Sequence, residues 1–281
     1  MSADLLISRP TEGPRRARHP LLMATLRAVG SMTLVLAVVV ALWVGALWAF
    51  DVSSYVGKGP LDVVDILFVD EDAPALRTEI AGLLARTLLD AGIGFIAGML
   101  VAVTLAIAVV RFRAAESAVM PVALILQTVP LIALAPMLIL LVGRGYVIVA
   151  VMSAVVVLFP ALVNIVAGLR SVGPQMRDLV LVYGGNPMTV LRKVAFPSAL
   201  PAFFASVRIA VPGSMTGALL AEWLATGKGI GYAVVSAAAR SQISKVWALV
   251  VVVTLVSLLL YFLAQLVEAA VLSRFGQSDR A

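Results

Sequence analysis

The chain has 281 residues, 62% of them hydrophobic and 13% charged, with a net charge of +6. A soluble domain carries roughly 45–50% apolar and about 25% charged residues, so the apolar excess belongs against lipid. With no cysteine and a single histidine, His19, in an Arg-rich stretch, there is no material for a disulfide framework, a thiol nucleophile, a Cys-ligated metal, a Ser-His pair or a His-ligated zinc site.

In chain order, the first apolar block runs from about Gly30 to Phe50 behind Arg9, Arg15, Arg16, Arg18 and Arg27. At about 1.5 Å per residue its length matches a hydrocarbon core of ~30 Å. A cleaved signal peptide would have an apolar region of about 7–15 residues and a small-residue cleavage site. This block is longer and ends Leu47-Trp48-Ala49-Phe50-Asp51, so an anchor is expected, with Trp43 and Trp48 as an aromatic belt. Residues 51–87 are polar and acidic and are expected to form an outer loop with a short helix leading into the next span. Further spans are expected at about Leu88–Val110, Ala118–Val142 (interrupted by Pro130 and Pro136), Tyr146–Gly168, Ala202–Leu224 and Val246–Val271. The resulting expectation is an all-α membrane protein with six transmembrane helices. Residues 1–29 and 272–281 would be tails, and 88–271 the core, which contains a polar loop at 169–201.

Sorted by that topology, Arg9, Arg15, Arg16, Arg18, Arg27, Arg111, Arg113, Arg170, Arg177, Arg192, Lys193, Arg208, Arg274 and Arg280 lie on the side of the termini, fourteen of the 21 basic residues. The other seven share their side with the acids between Asp51 and Glu79. The positive-inside rule then makes both termini cytoplasmic, and the basic excess becomes a topology signal with no call for nucleic acid.

The loop Leu169–Pro201 is too polar and broken to cross a membrane, yet it holds local helix signals. Pro174 suits a first helical turn, Asp178 the early part of the helix, and Gly184-Gly185 a left-handed stop, giving a helix of about Gln175–Tyr183. Asn186-Pro187 reads as N-cap and first position of a second helix, with Arg192-Lys193 near its end and Pro197 terminating it. Two readings stay open at this point: an interfacial amphipathic hairpin, or a docking surface for a cytoplasmic partner.

Asp178 and Gly184, six residues apart, with Pro197 thirteen residues further on in Phe196-Pro197-Ser198-Ala199-Leu200-Pro201, resemble the Glu-Ala-Ala loop of permease subunits of bacterial ATP-binding-cassette importers. The segments Pro130–Pro136, Gly143-Arg144-Gly145, Phe159–Asn164 and Gly227–Tyr232 are similar to the branch that carries nitrate, taurine and aliphatic sulfonates. The likeness covers about Leu76 to Phe275. This chain has Asp178, Leu179 and Val180 where the family has Glu-Ala-Ala, and Leu141 where an aromatic is usual.

The resemblance implies a MetI-like type I importer permease of the bacterial inner membrane, with a cytoplasmic coupling helix between spans four and five. It implies a second permease subunit, two cytoplasmic ATPase subunits and an extracytoplasmic solute-binding protein as partners. ATP and Mg would be bound by the ATPase, with no cofactor in this chain. The coupling contact would involve Asp178, Tyr183, Gly184, Gly185, Asn186, Arg192, Pro197 and Pro201, with Asp178 available to pair with a basic group. The cargo would be a small anion or a pyrimidine-like nutrient.

Candidates for a path or gate are Gln127, Pro130, Pro136 and Glu222, each with a plainer reading beside it: kinks for the prolines, snorkelling or helix capping for Glu222 and for Asp90. Arg208 is expected to snorkel or to pair with the polar loop. Gly227-x-Gly229-x-Gly231 reads as a tight turn, since it lacks the context of a nucleotide loop. The rival is a secondary transporter or channel that works alone, but the inverted repeats and midplane charges usual in such proteins are not evident in the sequence.

Overall fold

The computed structural model describes residues 20–274 and, apart from residues 20–29 and 31, their side chains. His19, Arg9, Arg15, Arg16, Arg18, Arg280 and the side chain of Arg27 lie outside that description. The elements are α1 (Pro20–Ala49), α2 (Pro60–Phe68), α3 (Ala73–Arg111), α4 (Arg113–Leu126), α5 (Leu131–Val142), α6 (Tyr146–Arg170), α7 (Pro174–Val182), α8 (Pro187–Val190), a π-helical turn Leu191–Ala195, α9 (Phe196–Ala221), a second π-helical turn Glu222–Thr226, α10 (Gly229–Ala239) and α11 (Ile243–Arg274). Helices at Met32–Ala49, α3, α6, the run Pro187–Thr226 and α11 are each long and apolar enough to cross a membrane, while α4 and α5 pass only as a pair bent by 115°.

Several boundaries differ from the sequence-based expectation. The first helix starts at Pro20, inside the supposed tail, and α11 continues to Arg274. Residues 51–87, expected as an outer loop, are mostly helical. In α2, Asp62 accepts the Gly59 backbone N–H at 2.7 Å across the helix start, and Ile66 and Leu67 are buried. The second span begins at Ala73 and not Leu88, giving 39 residues, or ~58 Å of helix against a hydrocarbon core of ~30 Å. A polar first stretch holding Arg77, Glu79 and Arg86 conceals that continuity from a hydropathy reading; buried Ala73 and Ile80 secure it.

Pro130 does break the third block: a residue before proline is held out of the α region, so α4 stops at Leu126 and α5 starts at Leu131. Pro136 does not interrupt it and lies inside an unbroken α5. Nor does Pro197 end the second helix of the polar loop. The Phe196 backbone N–H bonds back to the Leu191 carbonyl, five residues earlier, and this widened turn carries α8 into α9 across the proline. The fifth expected span is therefore the upper part of a continuous run from Pro187 to Thr226.

The centre of the molecule is α6 packed between α3 and α9. Lipid offers no hydrophobic reward for helix association, so close contact depends on small residues that let backbones approach. A Cβ on Gly217 of α9 would lie 2.6 Å from the Ser153 Cα of α6, and one on Gly98 of α3 would lie 2.8 Å from the Ala154 carbonyl oxygen. Ala102, Ala106 and Ala218 are wholly buried along the same seams. At the edge, α1 touches α11 along a stripe that includes Trp43, whose ring stacks on Trp247 at 5.2 Å. Of the two tryptophans expected in an aromatic belt, only Trp48 stands out, 85% exposed.

Candidate functional site

The polar loop folds into a hairpin whose turn is set by backbone chemistry. Helix α7 caps at Tyr183, and Gly184 follows at φ +81°, a left-handed conformation that costs glycine little. The Gly185 N–H then reaches the Val180 carbonyl at 2.9 Å, and the Gly184 N–H reaches Leu181 at 3.0 Å, the two bonds of a Schellman stop. Gly185 allows this closeness, since a Cβ there would lie 2.7 Å from the Val180 carbonyl oxygen. Across the turn, the Asn186 side chain accepts the Thr189 N–H at 2.8 Å and the Thr189 hydroxyl at 3.0 Å, capping α8.

A rigid turn thus brings Tyr183, Gly184, Gly185 and Asn186 together, with Asp178 one turn and more before them on α7. Helix α7 buries none of its residues; Val182 is 84% and Tyr183 85% exposed. Asp178 lies in the second helical turn, beyond the first-turn reach of the helix dipole, and forms no ion pair among the described residues. Arg192 is exposed in the first π-helical turn. Pro197 and Pro201 sit in the lower part of α9, where Pro201 lines a cleft of about 220 Å³ with Gly173, Met176, Val194 and Ser198.

The opposite end of the Pro187–Thr226 run holds a buried carboxyl group. Glu222 is wholly buried, which rules out snorkelling in this conformation. Its Oε2 accepts the Gly231 N–H at 2.8 Å, while Oε1 has no hydrogen-bond partner among the described residues. The Gly227-x-Gly229-x-Gly231 turn is built over this group. Gly229 has φ +85°, and a Cβ on it would fall inside the Glu222 carboxyl; a Cβ on Gly231 would strike the Leu219 backbone. From α3, Thr87 accepts the Ile230 N–H at 3.1 Å, so three elements meet here. Next to Thr87 on α3, the Arg86 guanidinium lies over the Tyr146 ring at 4.4 Å and 3.7 Å from the largely buried Asp90, one turn further on.

The remaining candidates are dispersed. Gln127 is exposed as the C-cap of α4, Pro130 is exposed at the bend, and Pro136 is exposed on α5, where Leu140 and Leu141 are 86% and 78% exposed. Arg208 pairs not with the polar loop but with Glu268 of α11, at 3.1 Å, and lies 5.9 Å from the Tyr261 ring centre. Sequence reasoning overlooked Glu268 and Thr87, and it treated Asp90 alone although Arg86 stands four residues before it, a spacing that places both on one helical face. For Glu268 no sequence signal exists, because its partner is sixty residues away on another helix.

Residues 94–273 match the family model described as binding-protein-dependent transport system inner membrane component. A protein named as an ABC transporter permease in Haemophilus influenzae is 31% identical over 231 residues, 82% of this chain and 91% of that one. One named as an aliphatic sulfonates transport permease in Bacillus subtilis is 27% identical over 238 residues, 84% of each chain. A nitrate import permease of a Synechocystis species is 28% identical over 173 residues, 60% of this chain and 61% of that one.

Proposed function

We propose, because this chain belongs to the family of binding-protein-dependent transport system inner membrane components, that its α7–α8 hairpin is the element through which a cytoplasmic ATPase drives it. Membership makes the chain an all-α, multi-span transmembrane permease subunit of a binding-protein-dependent ABC importer, homologous to permeases of the nitrate and sulfonate branch. It is a non-catalytic subunit; ATP and magnesium belong to the partner ATPase.

The observation that carries the coupling role is a pair of large apolar side chains, Val182 and Tyr183, left exposed beside a turn fixed by the two Schellman bonds and the Asn186 cap. Such groups on a rigid support suit the central anchor of a protein interface. Asp178, Gly184, Gly185, Asn186 and Arg192 surround them, and Pro197 and Pro201 lie where the hairpin joins the core. In this reading the chain crosses the membrane six times, α4–α5 counting as one bent span, with both termini cytoplasmic. It pairs with a second permease, identical or homologous, above two ATPases, and receives cargo from an outer binding protein. Gln127, Pro130 and Pro136 face the shared path. ATP-driven closure draws the paired hairpins together and switches the path between inward-open and outward-open states. The cargo is a small nutrient of the kinds those relatives are named for.

The test is Tyr183→Ala and Gly184→Val in the full chain, assayed for solute uptake and for co-purification of the ATPase. Both should lower co-purification by about tenfold, the effect of losing ~1.4 kcal/mol of contact, while membrane insertion stays intact. Unchanged uptake and co-purification in both variants would refute the reading.

A further inference from the structure

Between α3 and α4 the chain turns on the single extended residue Phe112, so Arg111 ends one helix and Arg113 begins the next at the same corner. Facing that corner are Arg170, the last residue of α6, and Arg177 of α7. These four arginines line one cleft of about 440 Å³ floored by Val110 and Leu169. The cleft holds one carboxylate, Glu116, which is engaged by Arg170 at 2.6 Å. Arg111, Arg113 and Arg177 form no ion pair among the described residues.

The positive-inside rule asks only that basic residues lie on one side of the membrane. It does not ask for guanidinium groups from separate elements to converge on one cavity, where their mutual repulsion opposes the fold unless an anion is present. The planar fork of arginine matches the oxygens of a phosphate group. The position of the cleft at the ends of membrane-length helices points to lipid as the source. It opens where α3 and α6, both long and apolar enough to cross a membrane, end and α4 begins, and Arg177, Pro187 and Val190 of the hairpin form its other wall.

We propose that this cleft binds the headgroup phosphate of an anionic phospholipid, with Arg111, Arg113 and Arg177 as its ligands and Arg170 held in place by Glu116. Basic pockets between membrane helices suit such headgroups. The site requires that the chain span a membrane; it shares Arg177, Pro187 and Val190 with the hairpin, but lipid retention is read without the ATPase, so its failure and that of the coupling role are separable.

Native mass spectrometry of the full chain, purified in mild detergent with equal amounts of phosphatidylglycerol and phosphatidylcholine, tests this directly. Phosphatidylglycerol should be retained over phosphatidylcholine by about tenfold or more, and the triple variant Arg111→Gln/Arg113→Gln/Arg177→Gln should lose that preference. The control Arg144→Gln/Arg240→Gln, which alters two exposed arginines outside the cleft, should keep it. If the triple variant fails to insert, Arg113→Gln alone should lower retention severalfold. Equal retention of both lipids, undiminished retention in the cleft variants, or binding of added inorganic phosphate with no retained lipid would each overturn the proposal.

Discussion

The Glu222 carboxylate accepts the backbone N–H of Gly231 at 2.8 Å, and this bond fastens the turn between α9 and α10 over a side chain with no solvent exposure. A buried acid costs free energy unless its oxygens are met, and here one oxygen is met by backbone alone. Glu222→Leu should therefore leave the Gly231 N–H buried without an acceptor and lower stability by about 1–3 kcal/mol. Glu222→Gln, which keeps a carbonyl oxygen, should lose less. Thermal melting of the detergent-purified chain separates the two, and equal losses would count against the role of this bond.

The same turn predicts a ranking among its glycines. Gly229→Ala meets both a positive φ of 85° and the Glu222 carboxyl, whereas Gly227→Ala meets a φ of 66° with its nearest neighbour, the Tyr232 ring, 4.0 Å away. Backbone strain of about 1–3 kcal/mol is common to both, and the added clash with the carboxyl should make Gly229→Ala the more costly by at least ~1 kcal/mol. A reversed order in melting temperature would show that the carboxyl can move aside freely.

Helix packing supplies a second contrast. Gly217→Ala forces its new carbon against the Ser153 backbone, and overpacking of this kind costs about 1–3 kcal/mol. Gly82→Ala in exposed α3 meets nothing within 4 Å and should stabilise by about 0.5–1 kcal/mol through helix propensity. Reconstituted folding or melting measurements on the two variants should give opposite signs.

Arg208 and Glu268 tie α9 to α11, with side chains 30% and 9% exposed. A double-mutant cycle with Arg208→Met and Glu268→Gln should return a coupling of about 0.5–3 kcal/mol, as for residues in direct contact. A coupling near zero would mean that each charge is met by lipid headgroups or water.

Sidedness is open to chemical labelling. Asp70 lies exposed between α2 and α3, and a cysteine placed there by Asp70→Cys should react with a membrane-impermeant reagent added outside intact cells. Labelling only after the cytoplasm is opened would invert the topology.

What the sequence made legible was local. Five of the six apolar blocks appear in the structure as long helices, and Pro174, Gly184-Gly185 and Asn186-Pro187 mark the hairpin because each acts on the backbone within a few residues of itself. What stayed hidden depended on distant partners. Pro197 reads as a stop until the π-helical turn before it is seen to absorb the change in register. Glu222 looks like an interfacial acid until the Gly227–Gly231 turn closes over it, and Glu268 has no meaning apart from Arg208. Helix α10 was missed because its eleven residues are too few for a span and its glycine-rich start read only as a turn.

The unbroken run from Pro187 to Thr226 has a mechanical consequence. Forty residues at about 1.5 Å each form a rod of ~60 Å, and a tilt of about 5° about Gly217 sweeps its Pro187 end through about 4 Å and its Thr226 end through about 1 Å. Its ends are the Asn186 cap and the Glu222 anchor, and between them lies the Gly217 contact with α6, which is placed to serve as fulcrum. In the coupling role proposed above for the hairpin, an angular input there reaches the Glu222 end of the run with no relay through intervening loops.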